Sequence, residues 1–371
     1  MLIGVPAETR SGETRVAATA ETVKRLVAQK HPVVVQAGAG LAAGQTDEAY
    51  AAAGAAIGSA ADAFGAEVVL TVRRPGAAEL AAMKPGTVLA GMLEPFDADG
   101  IAAMNAAGLT AFALEAAPRT TRAQSMDVLS SQANIAGYKA VLLAANTYGR
   151  LMPMLMTAAG TIKAARVVIL GAGVAGLQAI ATAKRLGAVI EASDVRPAVK
   201  EQIESLGAKF IDVPFETDEE RDAAKGTGGY ARPMPPSWLD RQKAEVAKRI
   251  AQADIVITTA LIPGRKAPIL VTEDMVRSMK PGSVVLDMAA EQGGNCALTE
   301  PGTTAVRHHV HLIGLGNLPA LVPADSSALY ARNLLDFLKL VLDKDGKFFI
   351  NQEDDIVRAC LLCHGGEILR K

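Results

Sequence analysis

The chain has 371 residues, a formal net charge of −1 and 50% hydrophobic residues, which indicates a globular protein of two or three domains. Balanced charge and only 4% aromatic residues argue against nucleic acid as a partner, and three cysteines are too few for a disulfide scaffold. We find neither a secretory leader nor an apolar run of about 18 residues, so we expect a cytoplasmic chain that does not itself span a membrane.

The first half of the chain alternates short apolar runs with alanine-rich helical segments. The apolar runs predict buried strands at Leu2–Val5, Val33–Val35, Val68–Leu70, Val88–Ala90 and Thr110–Leu114. The helix predicted over Ala20–Gln29 has Thr19 as its N-cap. Because Thr22 replaces the usual glutamate, we expect its capping box to be incomplete. Strands that alternate with helices indicate parallel βαβ units.

A longer helix predicted over Ser131–Gly149 follows, and a second alternating series comes after it. The strands predicted in this series are Arg166–Leu170, Val189–Ser193, Lys209–Val213, Asp254–Thr259, Val284–Asp287 and His311–Gly314. We expect the helix predicted over Asp325–Leu342 to pack back onto the first series. The sequence therefore predicts an α/β fold of two doubly wound parallel-sheet domains joined by long helices, with residues 1–130 and 320–371 in one domain and 131–319 in the other.

A glycine motif of the form G-x-G-x-x-G lies between a predicted strand and a predicted helix. Its glycines are Gly171, Gly173 and Gly176. In this setting the first glycine makes a tight turn, the second lets a pyrophosphate approach the backbone, and the third lets the helix press on the sheet. The helix N-terminus offers N–H groups and partial positive charge to the phosphates. The motif predicts a dinucleotide site, and a glycine turn that binds nothing is the alternative.

The acid at the end of the next predicted strand bears on which dinucleotide binds. Asp194 follows the strand Val189–Ser193, where a carboxylate accepts hydrogen bonds from the adenosine ribose and repels a 2′-phosphate. Arg196 argues the other way, since a guanidinium pairs with phosphate. We give Asp194 more weight and predict NAD(H) as the cofactor.

A polar segment, residues 118–132, lies between a predicted strand and the long helix. Such a density of hydrogen-bonding groups is costly to bury without partners. One interpretation is a helix cap, in which Ser125 or Asp127 satisfies N–H groups and the arginines lie in solvent. The other places the segment in a cleft, where a nicotinamide and its ribose need neutral donors and acceptors. Both interpretations stay open at this point.

Several segments together resemble the alpha subunit family of proton-translocating nicotinamide nucleotide transhydrogenases, within the alanine dehydrogenase/transhydrogenase superfamily. They are residues 122–127 (RAQSMD), 171–188, 194–196 (DVR), 258–264 (TTALIPG) and 293–296 (GGNC). The resemblance runs from Ile3 to about Gly366. It implies two Rossmann-like domains, a homodimer, and direct hydride transfer from bound NADH to NADP⁺. It further implies an NADP(H)-binding partner subunit and a membrane-embedded proton-channel subunit, through which this chain is peripherally associated with the inner membrane and without which it is inactive.

The resemblance also implies roles for individual residues. The candidate catalytic residues match nicotinamide-side contacts and are Arg119, Gln124, Asp127 and Ser130. Among these, Gln124 is expected to face the second nucleotide. Contacts to the rest of NAD(H) are implied for Gly171, Gly173, Val174, Gly176, Asp194, Val195, Arg196 and Leu261. The Gly- and Pro-rich segment 225–236 resembles a mobile loop whose Gly229 and Tyr230 close over NAD(H), and an exposed crossover is the alternative.

Alanine dehydrogenases share much of this resemblance and provide the first alternative function. Oxidative deamination needs a proton acceptor and a carboxylate anchor. Where that family carries lysine and histidine, this chain has Val72-Arg73-Arg74-Pro75 and Leu93-Glu94, so the acid–base groups are missing. Arg15 remains and could hold a carboxylate. A non-catalytic NAD-binding regulatory protein is the second alternative, because the chain alone would hold only one nucleotide.

Two further patterns are interpreted without a role in nucleotide binding. Cys360-x-x-Cys363-His364 has the spacing of a haem attachment motif, but without an export signal we expect a surface dithiol prone to oxidation. The acidic run Glu216–Asp222 is expected to be a solvated loop edge. No metal site is predicted.

Overall fold

The computed structural model describes residues 1–224, 234–262, 264–343 and 345–370. The chain divides into two compact units. The first unit comprises Met1–Gln132 together with Pro319–Lys371, and the second comprises Ala133–Leu318. Each unit is built around a sheet of its own.

The strands of the described residues follow one another along both units. In chain order they are β1 (Ile3–Val5), β2 (Val33–Gln36), β3 (Ala56–Gly58), β4 (Val68–Arg73), β5 (Val88–Met92), β6 (Thr110–Ala113), β7 (Leu155–Thr157), β8 (Gly160–Ile162), β9 (Arg166–Leu170), β10 (Val189–Ser193), β11 (Lys209–Phe210), β12 (Ile255–Thr258), β13 (Val284–Asp287), β14 (Thr304–Arg307), β15 (Val310–Ile313), β16 (Leu361–His364) and β17 (Glu367–Ile368).

The α-helices of the described residues connect these strands. In chain order they are α1 (Ala20–Ala28), α2 (Asp47–Ala52), α3 (Ala60–Phe64), α4 (Ala77–Ala82), α5 (Ala98–Ala106), α6 (Val128–Thr147), α7 (Val174–Arg185), α8 (Lys200–Ser205), α9 (Asp218–Ala224), α10 (Pro236–Ile250), α11 (Glu273–Ser278), α12 (Pro323–Leu338) and α13 (Asp355–Cys360).

The sheet of the first unit has the strand order β17-β16-β6-β5-β4-β1-β2-β3. Strands β1 to β6 pair in parallel, and β16 and β17 extend the sheet in the antiparallel sense. All five strands predicted for this half of the chain are confirmed. The short edge strand β3 was not predicted, because its exposed residues carry none of the apolar pattern that marks a buried strand.

Helix α12 packs into the core of the first unit, as the sequence predicts. Its residues Leu334, Leu335 and Leu338 are buried in the same cluster as β1 and β6, and the rings of Phe112 and Phe337 lie 5.3 Å apart between centroids. The helix begins at Pro323 and ends at Leu338, four residues before the predicted end. The return of the chain after residue 318 therefore completes this core.

The capping box of helix α1 is complete, so the expectation of an incomplete box is wrong. The Thr19 hydroxyl accepts from the Thr22 N–H, and the Thr22 hydroxyl accepts from the Thr19 N–H at 3.0 Å. A threonine hydroxyl at the third helical position reaches back as a glutamate would. The reciprocal pair satisfies both N–H groups.

The sheet of the second unit has the order β11-β10-β9-β12-β13-β15-β14. Strands β9 to β13 and β15 are parallel, and β14 is an antiparallel edge strand. This is the strand order of dinucleotide-binding α/β folds, in which the order reverses between β9 and β12. Ligands bind such sheets at that reversal, outside the carboxyl ends of the strands. The predicted fold class, two Rossmann-like parallel-sheet domains, is confirmed.

A small hairpin of β7 and β8 precedes this sheet and was not predicted. All of its strand residues are exposed. Its strands are only three residues long and have no buried face, so the sequence carries no alternation that would reveal them. Among the described residues no helix has both the length and the hydropathy needed to cross a bilayer.

Candidate functional site

The glycine motif forms a strand–turn–helix at the point where the second sheet reverses. Gly171 follows β9 with a φ of 98°, which only glycine adopts readily, and its N–H bonds to the carbonyl of Ser193. A Cβ on Gly176 would lie 1.9 Å from the Gly171 carbonyl oxygen, so glycine is required there as well. The predicted strand–turn–helix context of the motif is confirmed.

Gly173 differs from the other two glycines. It has an ordinary φ of −73°, and a Cβ built on it would meet nothing within 4 Å. The chain therefore has no packing reason for glycine at this position, but an approaching ligand would provide one. Gly173 is the N-cap of α7, no side chain caps that helix, and Val174 at its start is 38% exposed. The N-terminus of α7 is open to an anion.

Asp194 lies directly after β10, beside this turn. Its carboxylate accepts from the Ala172 N–H at 2.8 Å and from the Arg196 N–H at 2.9 Å, and it forms an ion pair with the Arg196 side chain. Burial opposes ionisation, but these donors outweigh it and lower the pKa of Asp194 below its ordinary value. The carboxylate is thus ionised, and it is tied to the glycine turn.

The chain after β12 lies on the other side of the same turn. The Thr259 N–H donates to the Leu170 carbonyl, and the Thr259 hydroxyl donates to the Gly171 carbonyl at 2.9 Å. Leu261 follows and is 43% exposed. Residues 171–176, Asp194 and the segment 259–261 therefore lie together at the carboxyl ends of β9, β10 and β12.

The polar segment of the first unit forms a 3-10 helix, Thr121–Met126, followed directly by α6. Asp127 accepts from the Ser130 N–H at 2.8 Å and from the Ser130 hydroxyl at 2.6 Å, so it caps α6. This confirms the helix-cap interpretation for Asp127. Arg119 and Gln124 have exposed side chains. A cap and a ligand site are compatible, because Gln124 has no place in the core.

Two residues far away in the sequence fix this segment, and sequence reasoning missed both. The Asn333 side chain donates to the Ser125 carbonyl at 2.7 Å and accepts from the Ser131 hydroxyl. Asp354 accepts two hydrogen bonds from Arg122, which is therefore not simply solvated as the helix-cap interpretation expects. These partners are 208 and 232 residues from the segment, so no local signal could have revealed them.

The residues relevant to amino-acid chemistry lie in the first unit. Arg15 is buried, and its guanidinium donates to both Glu13 carboxylate oxygens and to the Gln132 side-chain oxygen. Arg73 also pairs with Glu13. Glu94 accepts from Arg10 and Arg74. The segments that would supply lysine and histidine in a deaminating enzyme thus supply an arginine and a carboxylate held in ion pairs.

The predicted loop over the nucleotide lies mostly outside the described residues, and Gly229 and Tyr230 are among those not described. Beside it, the acidic run forms part of helix α9, and Glu220 is fully buried. Its carboxylate accepts from Ser237 and Arg241 of α10. The expectation of a solvated loop edge is therefore wrong for Glu220, because these partners come from a separate helix.

The Cys360 and Cys363 thiols are both buried, so the expectation of a surface dithiol is wrong. Burial raises the pKa of Cys360 to about 12. The pair lies at the junction of α13 and β16, inside the first unit. The described residues contain no group of three or more His, Cys, Asp or Glu side chains placed to hold a metal ion.

Comparisons with known proteins agree with this arrangement. The family models for the alanine dehydrogenase/PNT N-terminal and C-terminal domains match residues 4–136 and 140–371. The chain is 50% identical over 378 residues to the first of the polypeptides that make up NAD(P) transhydrogenase subunit alpha of Rhodospirillum rubrum, covering 100% of this chain and 98% of the relative. It is 31% identical to the alanine dehydrogenase of Bacillus subtilis, covering 88% and 82% of the two chains.

A solved structure gives the same result. The transhydrogenase from Sinorhizobium meliloti superposes with a TM-score of 0.90 at 48% identity, covering 99% of this chain and 100% of the other. The resemblance drawn from the sequence motifs is thus confirmed. The chain belongs to the alanine dehydrogenase/PNT family and, within it, to the NAD(P) transhydrogenase alpha subunits.

Proposed function

We propose that this chain binds NADH and donates a hydride from it directly to NADP⁺ held by a partner subunit. The observation that carries the proposal is the second-unit turn, where Gly173 leaves room for a pyrophosphate and Asp194 presents an ionised carboxylate beside it. Gly171 and Gly176 shape this turn. We propose further cofactor contacts from Val174, Val195, Arg196 and Leu261.

At the nicotinamide end we propose four residues of the first unit, which are Arg119, Gln124, Asp127 and Ser130. Transfer of hydride between two nicotinamide rings neither adds nor removes a proton at the reacting carbons. The protein must mainly hold the two rings about 3–3.5 Å apart. Neutral donors and acceptors suffice for that task, and the absence of a histidine base at Glu94 is consistent with it.

Proton coupling and location form a second element of the proposal. We propose that an NADP(H)-binding subunit and a membrane-embedded proton-channel subunit complete the enzyme, and that this chain is held at the cytoplasmic face of the inner membrane through them. The name of the Rhodospirillum rubrum relative, which marks it as one piece of a divided subunit alpha, supports such a division of labour. We also propose that the two compact units act as the two domains predicted from the sequence.

The exposed hairpin supports the proposed homodimer. Met156 on β7 is 70% exposed, and Met154, Leu155 and Ile162 are exposed as well. An isolated two-stranded hairpin is marginally stable at best and needs a surface to cover it. We propose that a second copy of this chain covers it. Sedimentation of Met156→Glu should then give a monomer where the wild type gives a dimer, and an unchanged dimer would contradict the assignment.

Alanine dehydrogenase activity is supported less well. The 31% identity to such an enzyme favours it, but Arg15 is already paired with Glu13 and Gln132, and the proton acceptor is missing. A regulatory NAD-binding protein would leave Gln124 without a role. Both alternatives predict no hydride exchange between NADH and an NADP⁺ analogue.

One experiment separates these functions. NADH is first titrated into the chain and followed by its fluorescence. The chain is then mixed with an NADP(H)-binding transhydrogenase subunit, and reduction of an NADP⁺ analogue by NADH is measured. We expect binding without the partner and turnover only with it. Binding without turnover would favour the regulatory protein, and NAD⁺ reduction by alanine would favour the dehydrogenase.

A further inference from the structure

Asn295 is a fully buried polar residue next to the proposed nucleotide site, and nothing above gives it a role. It belongs to the turn that follows β13 and the positive-φ residues Gly293 and Gly294. Its side chain points at the segment after β12, where Leu261 is a proposed cofactor contact. Every hydrogen-bonding direction of its amide toward that segment is used.

The amide of Asn295 acts as a substitute for a neighbouring strand. Its Oδ1 accepts from the Ala260 N–H at 3.0 Å, and its Nδ2 donates to the Ala260 carbonyl at 2.9 Å. The same Nδ2 donates to the Pro268 carbonyl at 2.8 Å. Sheet pairing ends at Thr258, so Ala260 has no strand partner there. Asn295 satisfies both of its main-chain polar groups.

Asp287 in turn holds Asn295 in place. One oxygen of this buried carboxylate accepts from the N–H groups of Asn295 and Cys296, at 2.7 and 2.9 Å. The other accepts from the Thr258 hydroxyl and the Ala289 N–H. Four donors thus compensate the burial of one charge, and they join the end of β12 to the turn that carries Asn295.

The opposite side of the segment is fixed by the glycine motif. The Thr259 hydroxyl donates to the Gly171 carbonyl, and a Cβ on Gly171 would lie 2.6 Å from that hydroxyl oxygen. Residues 259–261 are therefore held between the phosphate-binding turn on one side and Asn295 on the other. A displacement of Ala260 would move the backbone of Leu261 away from its place beside the turn.

We propose that Asn295 is a positioning residue of the nucleotide site, which holds the main chain at Ala260 and Leu261 where NADH can contact it. The inference rests on the proposed function, because it assigns to Asn295 the placement of one of the proposed contacts. It also gives the buried Asp287 and Thr258 a shared purpose, namely to orient the amide.

The test uses two substitutions at this position. Asn295→Leu keeps the volume of the side chain and removes all three hydrogen bonds without adding charge. Asn295→Asp keeps the shape but turns a carboxylate oxygen toward the carbonyls of Ala260 and Pro268. We expect both to weaken NADH binding by about tenfold or more, as the loss of buried hydrogen bonds implies. Asn105→Asp, which changes an asparagine of the first unit, should leave NADH binding unchanged.

The pH profile of Asn295→Asp distinguishes positioning from a general loss of structure. Burial beside two carbonyl oxygens and near the Asp287 carboxylate raises the pKa of the introduced carboxyl, and Lys266, beside Gly293, is the nearby cation. Once protonated, the carboxyl can donate to one carbonyl. NADH affinity relative to wild type should therefore improve as pH falls, whereas Asn295→Leu should show no such recovery.

Thermal unfolding and circular dichroism establish that the variants are folded. If either substitution prevents folding, Thr258→Val decides the question, because it removes only the hydroxyl bond to Asp287 and should weaken NADH binding by about threefold. Unchanged NADH affinity in a folded Asn295→Leu protein, or in Thr258→Val where that variant must decide, would overturn the inference if Asp194→Ala does weaken binding. If Asp194→Ala also has no effect, the proposed nucleotide site itself is wrong.

Discussion

Asp194 and Arg196 form a closed pair, in which Nε and Nη2 of the guanidinium each donate to one carboxylate oxygen at 2.9 Å. The acid that favours NAD(H) and the base that would favour NADP(H) therefore neutralise each other at the edge of the glycine turn. The balance between them decides how the site treats a ribose 2′-phosphate.

Removal of the acid should shift this balance. Asp194→Ala loses the ribose acceptor and releases Arg196, so we expect NADH binding to weaken by about tenfold and NADPH binding to strengthen. Fluorescence titration with each nucleotide measures both changes. In the double variant Asp194→Ala/Arg196→Ala, the gain for NADPH should disappear. Unchanged titrations with both nucleotides would refute the assignment of Asp194.

Gln124 offers a test of the nicotinamide end. Its side chain is exposed and lies in a 3-10 helix that Ala123 and Met126 anchor in the core, so Gln124→Ala should leave the fold intact. We expect NADH affinity to stay nearly constant and the exchange rate with the partner subunit to fall by about tenfold, since the alignment of the rings is what suffers. Gln202→Ala, on the exposed face of α8, should change neither quantity. Equal losses of affinity and rate would make Gln124 a binding residue only.

The features of this molecule that could be predicted are those specified by local patterns. Strand β9, the three glycines and the start of α7 lie within about twenty residues, and apolar runs with glycine spacing are enough to identify them. The N-cap Asp127 is equally local, because it bonds to Ser130. Such features depend on backbone periodicity and short-range hydrogen bonds.

The remaining features depend on partners that the chain brings together only on folding. Asn333 and Asp354 reach the polar segment from more than two hundred residues away, and Glu220 is buried by α10. The Cys360-x-x-Cys363 spacing suggested an exposed dithiol, but burial against β6 is a tertiary property. Hydrogen bonds between distant segments leave no periodic signal in the sequence.

A buried acid in the first unit predicts a specific pH dependence. Burial raises the pKa of Glu115 to about 7, and its Oε2 has no hydrogen-bond partner. The folded chain then binds more protons than the unfolded chain between about pH 4.5 and 7, so stability from this group is full below that window and is lost as pH rises through it.

Glu115→Gln should therefore flatten the stability profile over this range. Relative to wild type, the variant should gain stability as pH rises from 5 to 8, by up to about 3 kcal/mol if the full shift is expressed. Urea unfolding at both pH values measures the difference. Glu353→Gln, an exposed acid, should show no such trend, and a parallel offset of Glu115→Gln at both pH values would contradict the pKa assignment.

The burial of the cysteines predicts slow thiol chemistry. Cys296, Cys360 and Cys363 are all free and buried, and burial raises the pKa of each thiol. A thiol reagent such as 5,5′-dithiobis(2-nitrobenzoate) should therefore react with the native chain only as fast as it unfolds, and at once in denaturant. Rapid modification of one or two thiols in the native protein would show that the C-terminal pair is accessible.

The middle glycine of the motif separates ligand binding from folding. A Cβ on Gly173 meets nothing within 4 Å and its φ suits any residue, so Gly173→Ala should change the free energy of unfolding by about 1 kcal/mol or less. If a pyrophosphate lies against this backbone, the same methyl group should lower NADH affinity by at least about tenfold. Gly176→Ala is the contrasting variant, because its Cβ would lie 1.9 Å from the Gly171 carbonyl oxygen and should impair folding as well as binding. Thermal unfolding and NADH titration of both variants give four values, and normal NADH affinity in Gly173→Ala would remove the phosphate from this turn.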